Sequence, residues 1–186
     1  MGLIQKIIGK PEGGFLPALT DGLIRVSRVR TGDDMKKKTP LEKIPEALTA
    51  IADDRVHMFE SYATVESSDR KKTYTVTWNG DLYTSSDSAT YWQGYAGYPV
   101  IAVLMLQNRL ALDKELASWF GGVNWAELNA KYKREYAEAV SHVMAGIAAK
   151  GGDINDISSK IHAIHEELHS LPLTVGRGRA RPPGKK

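Results

Sequence analysis

The chain has 186 residues, of which 42% are apolar and 25% charged, with no cysteine and a formal net charge of +3. That length suits one domain of ordinary size, or a small domain with a helical appendage, and the composition is globular rather than disordered. The lack of cysteine excludes disulfides, zinc ribbons, thiol catalysis and iron–sulfur clusters, and leaves the redox compartment open.

At the N-terminus, Leu3, Ile4, Ile7 and Ile8 are spaced for a short amphipathic helix that Gly9, Pro11, Gly13 and Gly14 end. No small-residue cleavage site follows, and Lys6 stands where a myristoylation signal needs Ser or Thr, so neither secretion nor lipidation is expected. Residues 22–30, GLIRVSRVR, are β-branched and basic, and read as a strand or an extended arm. Arg25, Arg28 and Arg30, with Lys36, Lys37 and Lys38 in the loop that follows, form a first positive cluster, diluted by Asp33 and Asp34. Thr39-Pro40-Leu41-Glu42 has the form of a capping box and predicts a helix over 40–53.

The period then changes from helical to alternating. Val56 to Val65 and Lys72 to Trp78 are rich in β-branched and aromatic residues, and Tyr74, Val76 and Trp78 alternate with Thr73, Thr75 and Thr77 as in a half-buried strand. Asn79-Gly80 marks a tight turn and Asp81-Leu82-Tyr83 a returning strand. Pro99 suits a first helical position, and the apolar residues 100–111 predict a central core helix. The longest apolar run, PVIAVLML at 99–106, is well short of the ~18–20 residues that cross a bilayer, so no membrane span is expected.

Asn124-Trp125-Ala126-Glu127 is a second capping box and predicts one long helix to Lys150, with Gly151 as its stop. Asp153 opens a last helix whose seam, Ile154, Ile157, Ile161, Ile164 and Leu168, repeats at 3-4-3-4. The two helices are expected to form an antiparallel hairpin, and their seams could alternatively serve a protein partner or a homo-oligomer. The predicted fold class is therefore α+β: a small antiparallel β-meander packed on a core helix, then a C-terminal helical hairpin and a disordered basic tail. The corresponding divisions are 1–38 (amphipathic segment and basic arm), 39–122 (α+β core), 123–172 (hairpin) and 173–186 (tail).

Within the last helix, HEELH at 165–169 is an H-E-x-x-H pattern. It puts two imidazoles one turn apart, the arrangement of a zinc hydrolase with Glu166 as base. His162, His165 and His169 lie on one stripe beside the apolar seam and are the only metal candidates. The sequence argues against catalysis there. No His, Asp or Glu follows His169 to supply a third ligand, and His162 lies about 10 Å along the axis from His169. Glu167 also stands where zincins usually carry an uncharged residue. No catalytic residue and no cofactor is assigned, and a binding protein is favoured over an enzyme.

Residues 67–106 resemble the SWIM zinc-finger domain. Tyr74 and Val76 match its Y-x-V strand, Tyr91 its aromatic, and Ile101, Ala102, Val103 and Leu104 its apolar helix. The metal positions fall on Ser86, Ser88, Gly97 and Pro99, so no zinc role carries over. The resemblance implies a strand–strand–helix element with packing in place of zinc, filled by Tyr91, Trp92, Tyr95 and Tyr98, and an association with DNA or proteins. Average burial favours core positions for Trp92, Tyr95 and Tyr98. If exposed, they would instead stack on unpaired bases.

The last eleven residues, GRGRARPPGKK, carry Arg177, Arg179, Arg181, Lys185 and Lys186 and no acid. The whole chain has 25 basic and 22 acidic residues; taking away those five leaves 20 against 22. A near-neutral body with a cationic extension predicts phosphate contacts from the tail, supplemented by the first positive cluster. The expected protein is a cytoplasmic, non-catalytic nucleic-acid binder, with RNA favoured over DNA and a ribonucleoprotein as its setting.

Overall fold

A computed structural model of the chain describes residues 37–184. The N-terminal helix and the 22–30 strand expected from sequence lie outside the described residues. So do Arg25, Arg28, Arg30, Lys36, Lys185 and Lys186.

The meander is present. β1 (Val56–Met58), β2 (Tyr62–Glu66), β3 (Thr73–Asn79) and β4 (Leu82–Ser85) pair antiparallel in chain order. Asn79 pairs with Leu82, so the β3–β4 loop is the two residues Gly80-Asp81, with Gly80 at φ +56. The register sorts the side chains. Val65, Tyr74, Ala63, Val76, Ser85, Trp78 and Tyr83 are matched across strands on one face, and Thr64, Thr75, Thr77 and Thr84 on the other. The first face meets α2 (Tyr98–Leu106), whose Pro99 to Met105 are all buried, as its all-round apolar sequence requires. α1 (Lys43–Ala52) and α3 (Lys114–Ser118) close the other side of α2 and α1 respectively.

The helix expected over 40–53 begins later, at Lys43, and no side chain caps it. Thr39 is recruited elsewhere: its Oγ1 donates to the Ala96 carbonyl at 3.4 Å, and its own carbonyl accepts from His165. The single helix expected over 124–150 is two helices, α4 (Trp125–Lys131) and α5 (Tyr136–Ala149). The chain breaks at Lys133 and Arg134, which take φ +50 and +73 without any glycine or proline. Trp125 ties α4 to α1 by donating its indole N–H to Thr49 Oγ1 at 2.8 Å, whereas α5 packs toward α6 (Ile154–Ser170). One straight axis cannot meet both demands. The α6 seam residues Ile157, Ile161, Ile164 and Leu168 are buried in the chain's own core, which is continuous with Ile44, Leu48 and Leu104. No helix among the described residues is long and apolar enough to cross a membrane.

The tail departs from expectation. It was predicted to be disordered from residue 173, yet Thr174–Gly176 forms β5, which pairs in parallel with β4 through Leu82↔Thr174, Tyr83↔Val175 and Thr84↔Gly176. Val175 is buried beside Tyr83, and hydrophobic burial of that side chain explains why the segment docks.

Between β4 and α2 the chain passes through a buried polar knot. Asp87 Oδ1 accepts from the backbone N–H of Ala89 and Thr90 at 2.9 and 3.0 Å, and Thr90 Oγ1 accepts from Gly97 N at 3.0 Å. A methyl group at Gly97 would overlap Asp87 Oδ1. Gly97→Ala is therefore expected to destabilise the protein by about 1–3 kcal/mol through overpacking. Gly146→Ala, in an exposed part of α5 with nothing near the added methyl, is expected to stabilise by about 0.5–1 kcal/mol. Chemical denaturation of both variants checks the pair.

Candidate nucleic-acid interface

The knot at Asp87 launches a π-helical turn, Ala89–Gln93, closed by Gly94 at φ +75. Such turns bulge the backbone outward. Here the bulge carries Tyr91 and Trp92, whose rings meet edge to face at 4.6 Å. Trp92 is 59% exposed, the most exposed large apolar side chain among the described residues. The sequence favoured a core position for it; the outward turn overrides that average. Tyr98 is packed inward instead, edge-on to Tyr74 at 6.2 Å.

The two ends of the described chain meet at this turn. β5 delivers Arg177, whose Nε donates to the Tyr91 carbonyl at 3.0 Å. Its guanidinium lies 5.7 Å from the Tyr91 ring and 5.6 Å from the Trp92 ring, within cation–π range. From the other side, Lys37 Nζ donates to Gln93 Oε1 at 3.3 Å and sits 5.7 Å from the Tyr95 ring. Lys37, Lys38 and Arg177 are all exposed. Two basic clusters separated by most of the sequence thus flank one aromatic turn.

Past Arg177 the chain crosses the polar face of the sheet. A Cβ on Gly178 would lie 2.6 Å from Thr84 Oγ1, so only glycine lets the backbone approach this closely. The crossing leaves a cleft of about 460 Å³, with Arg177, Gly178, Arg179 and Ala180 as one wall and Thr75, Thr77 and Thr84 opposite. Thr77 and Thr84 share a hydrogen bond at 2.8 Å. Arg179 and Arg181 are exposed. Cations, hydroxyls and an exposed indole together offer phosphate contacts, sugar contacts and a stacking surface. Of the predicted contact residues, the structure brings together Arg177, Arg179, Lys37 and Lys38. It adds Trp92 and the threonines, of which Thr75 and Thr77 share a face in the TYTVTW alternation and Thr84 joins them through the β3–β4 register.

The HEELH stripe does something else. A carbonyl can only accept, so the 2.8 Å contact of His165 Nε2 with the Thr39 carbonyl assigns the proton to that nitrogen. His169 Nε2, 3.1 Å from His165 Nε2, must then be an acceptor. The pair ties α6 to the segment before α1. His162 and Glu166 are exposed, and no group of three or more His, Asp or Glu among the described residues is placed to hold a metal ion.

Fold and site together define a small α+β protein in which Lys37 and Arg177 converge on an exposed aromatic turn beside an open sheet face. The chain belongs to the family described as uncharacterised conserved protein UCP014422, whose model matches residues 36–174. The match spans every helix among the described residues and β1 to β4 and stops at the start of β5, so Arg177, Arg179 and Arg181 lie beyond it. No curated protein and no solved structure matches the chain.

Burial, and next the neighbouring His165, pull the pKa of His169 below its ordinary value of 6.5. The unfolded chain therefore takes up this proton first. The stability contributed by neutral His169 is complete above about pH 6.5 and is lost as pH falls through its depressed folded value. Thermal midpoints measured from about pH 8 to 5 are expected to fall more steeply for the native protein than for His169→Gln, which cannot be protonated.

Proposed function

We propose that the protein is a non-catalytic binder of single-stranded nucleic acid, RNA in preference to DNA, acting in the cytoplasm as part of a ribonucleoprotein. The observation that carries this reading is the convergence of Lys37 and Arg177 on the turn bearing exposed Trp92. A phosphate chain lying along the cleft would be held by Arg177, Arg179 and Arg181, with Lys185 and Lys186 further along the same extension. A base would stack on Trp92. The hydroxyls of Thr75, Thr77 and Thr84 suit a ribose 2′-OH, which favours RNA. The same reading takes residues 67–106 as a SWIM-like element without zinc ligands, its metal positions being Ser86, Ser88, Gly97 and Pro99.

The two contributions separate experimentally. In anisotropy titrations with a labelled single-stranded RNA, replacing Arg177, Arg179 and Arg181 together by Ala is expected to reduce the log–log salt slope by about 2, at about 0.7 per lost phosphate contact. Trp92→Ala is expected to weaken binding by about 1–3 kcal/mol and leave the slope unchanged. Native affinity and slope in both variants would remove the reading.

A further inference from the structure

The open face of the sheet continues beyond the cleft. Thr84 on β4 pairs with Thr77 on β3, and Thr77 pairs with Tyr62 on β2. Thr77 and Thr84 are cleft walls, so Tyr62 is the next side chain along the same row and on the same face. Two strand spacings, about 10 Å, separate it from Thr84. In the adjoining row Thr75 pairs with Thr64, and Thr64 with the exposed His57 of β1.

The β1–β2 turn folds Phe59 back onto Tyr62. Phe59 N donates to the Tyr62 carbonyl at 2.9 Å, and the two rings stack at 4.5 Å with 12° between their planes. Phe59 is 48% exposed and Tyr62 38%, and neither packs against the hydrophobic core. With Trp92 they are the three most exposed large apolar side chains among the described residues. The threonine rows lie between them, with Trp92 toward β4 and β5, and Phe59 and Tyr62 toward β1 and β2. A flat aromatic pair left in water offers an uncovered π-face to a planar ligand. The turn, Phe59-Glu60-Ser61, carries one carboxylate and no cation. It therefore repels a phosphate and accepts the face of a base.

We infer that Phe59 and Tyr62 form a second base-stacking position, and that a single strand of nucleic acid crosses the sheet from Trp92, over Thr84 and Thr77, to the β1–β2 turn. This rests on the nucleic-acid reading above and extends it from one stacked base to two. The positions lie further apart than the ~3.4 Å between successive stacked bases. A strand of several nucleotides thus engages both, and a very short one only the position beside the cations.

Anisotropy titrations of the full chain with labelled single-stranded RNAs of about four and about ten nucleotides, lengths within the range of single-strand grooves, test the inference. Replacing Phe59 and Tyr62 together by Ala should weaken the longer RNA about 5- to 150-fold, the factor one stacked base carries, at an unchanged salt slope. The shorter RNA should stay within about twofold of native, since it is held at Trp92. Tyr62→Phe, which keeps the ring, should bind both RNAs as the native protein does, and Trp92→Ala should weaken both. Native affinity of the double variant for the longer RNA, with Trp92→Ala still impaired, would overturn the second position and leave the nucleic-acid reading standing. Equal loss of both lengths in the double variant would overturn it too. Sedimentation velocity tests the other occupant: a native dimer that the double variant dissolves, with RNA affinity intact, would make this turn a contact between copies of the chain. Failure of the native protein to bind either RNA would remove the reading and the inference together.

Discussion

The pairing of β5 with β4 is the constraint on which the proposed nucleic-acid surface depends. Three residues, Thr174–Gly176, add a parallel strand to an otherwise antiparallel sheet. A strand that short gains little from its backbone hydrogen bonds alone, and the burial of Val175 beside Tyr83 supplies the rest. The consequence is positional. Arg177 emerges next to Tyr91 and Trp92, and Gly178 brings the chain onto the threonine face. A wholly free tail would meet a polyanion by charge alone. An anchored one presents its first arginines at a fixed distance from a stacking surface, and less ordering entropy is lost on binding.

The body beneath that surface combines a conventional apolar layer with an unusual amount of buried charge. α2 is apolar all round and lies between the sheet and α1. Lys43, Glu46, Arg55 and Asp87 are nevertheless all buried. Lys43 and Glu46 satisfy one another at 2.8 Å, with the Tyr136 ring over the ammonium at 4.4 Å. Arg55 is only partly satisfied. Charge buried in this way is a poor source of stability.

Local signals in the sequence were faithful where local physics decides the outcome. The Tyr74, Val76, Trp78 alternation gave the correct inward face, and Gly80 sits in the turn that Asn79-Gly80 announces. Asn124 and Asp153 cap their helices as read, each accepting backbone N–H groups of the first turn. What was hidden depends on distant partners. Thr39 has the sequence of a helix cap but is held by Ala96 and His165. Nothing local marks the break at Lys133–Arg134, which is imposed by the separate packing of α4 and α5. The β-branched run in Leu-Thr-Val-Gly at 173–176 was a usable strand signal, overshadowed by the arginines after it. Arg55, flanked by Asp53, Asp54 and Val56, carries no sequence sign that its side chain lies inside.

On the proposed reading, nucleic acid is held where Lys37 and Arg177 meet the aromatic turn. Ultraviolet crosslinking of the full-length protein to single-stranded RNA, with the modified peptides located by mass spectrometry, addresses it most directly. The account predicts adducts concentrated at residues 91–95 and 177–181, with a weaker set on the threonine strands β3 and β4. Adducts confined to α5 and α6, or none at the aromatic turn, would contradict it.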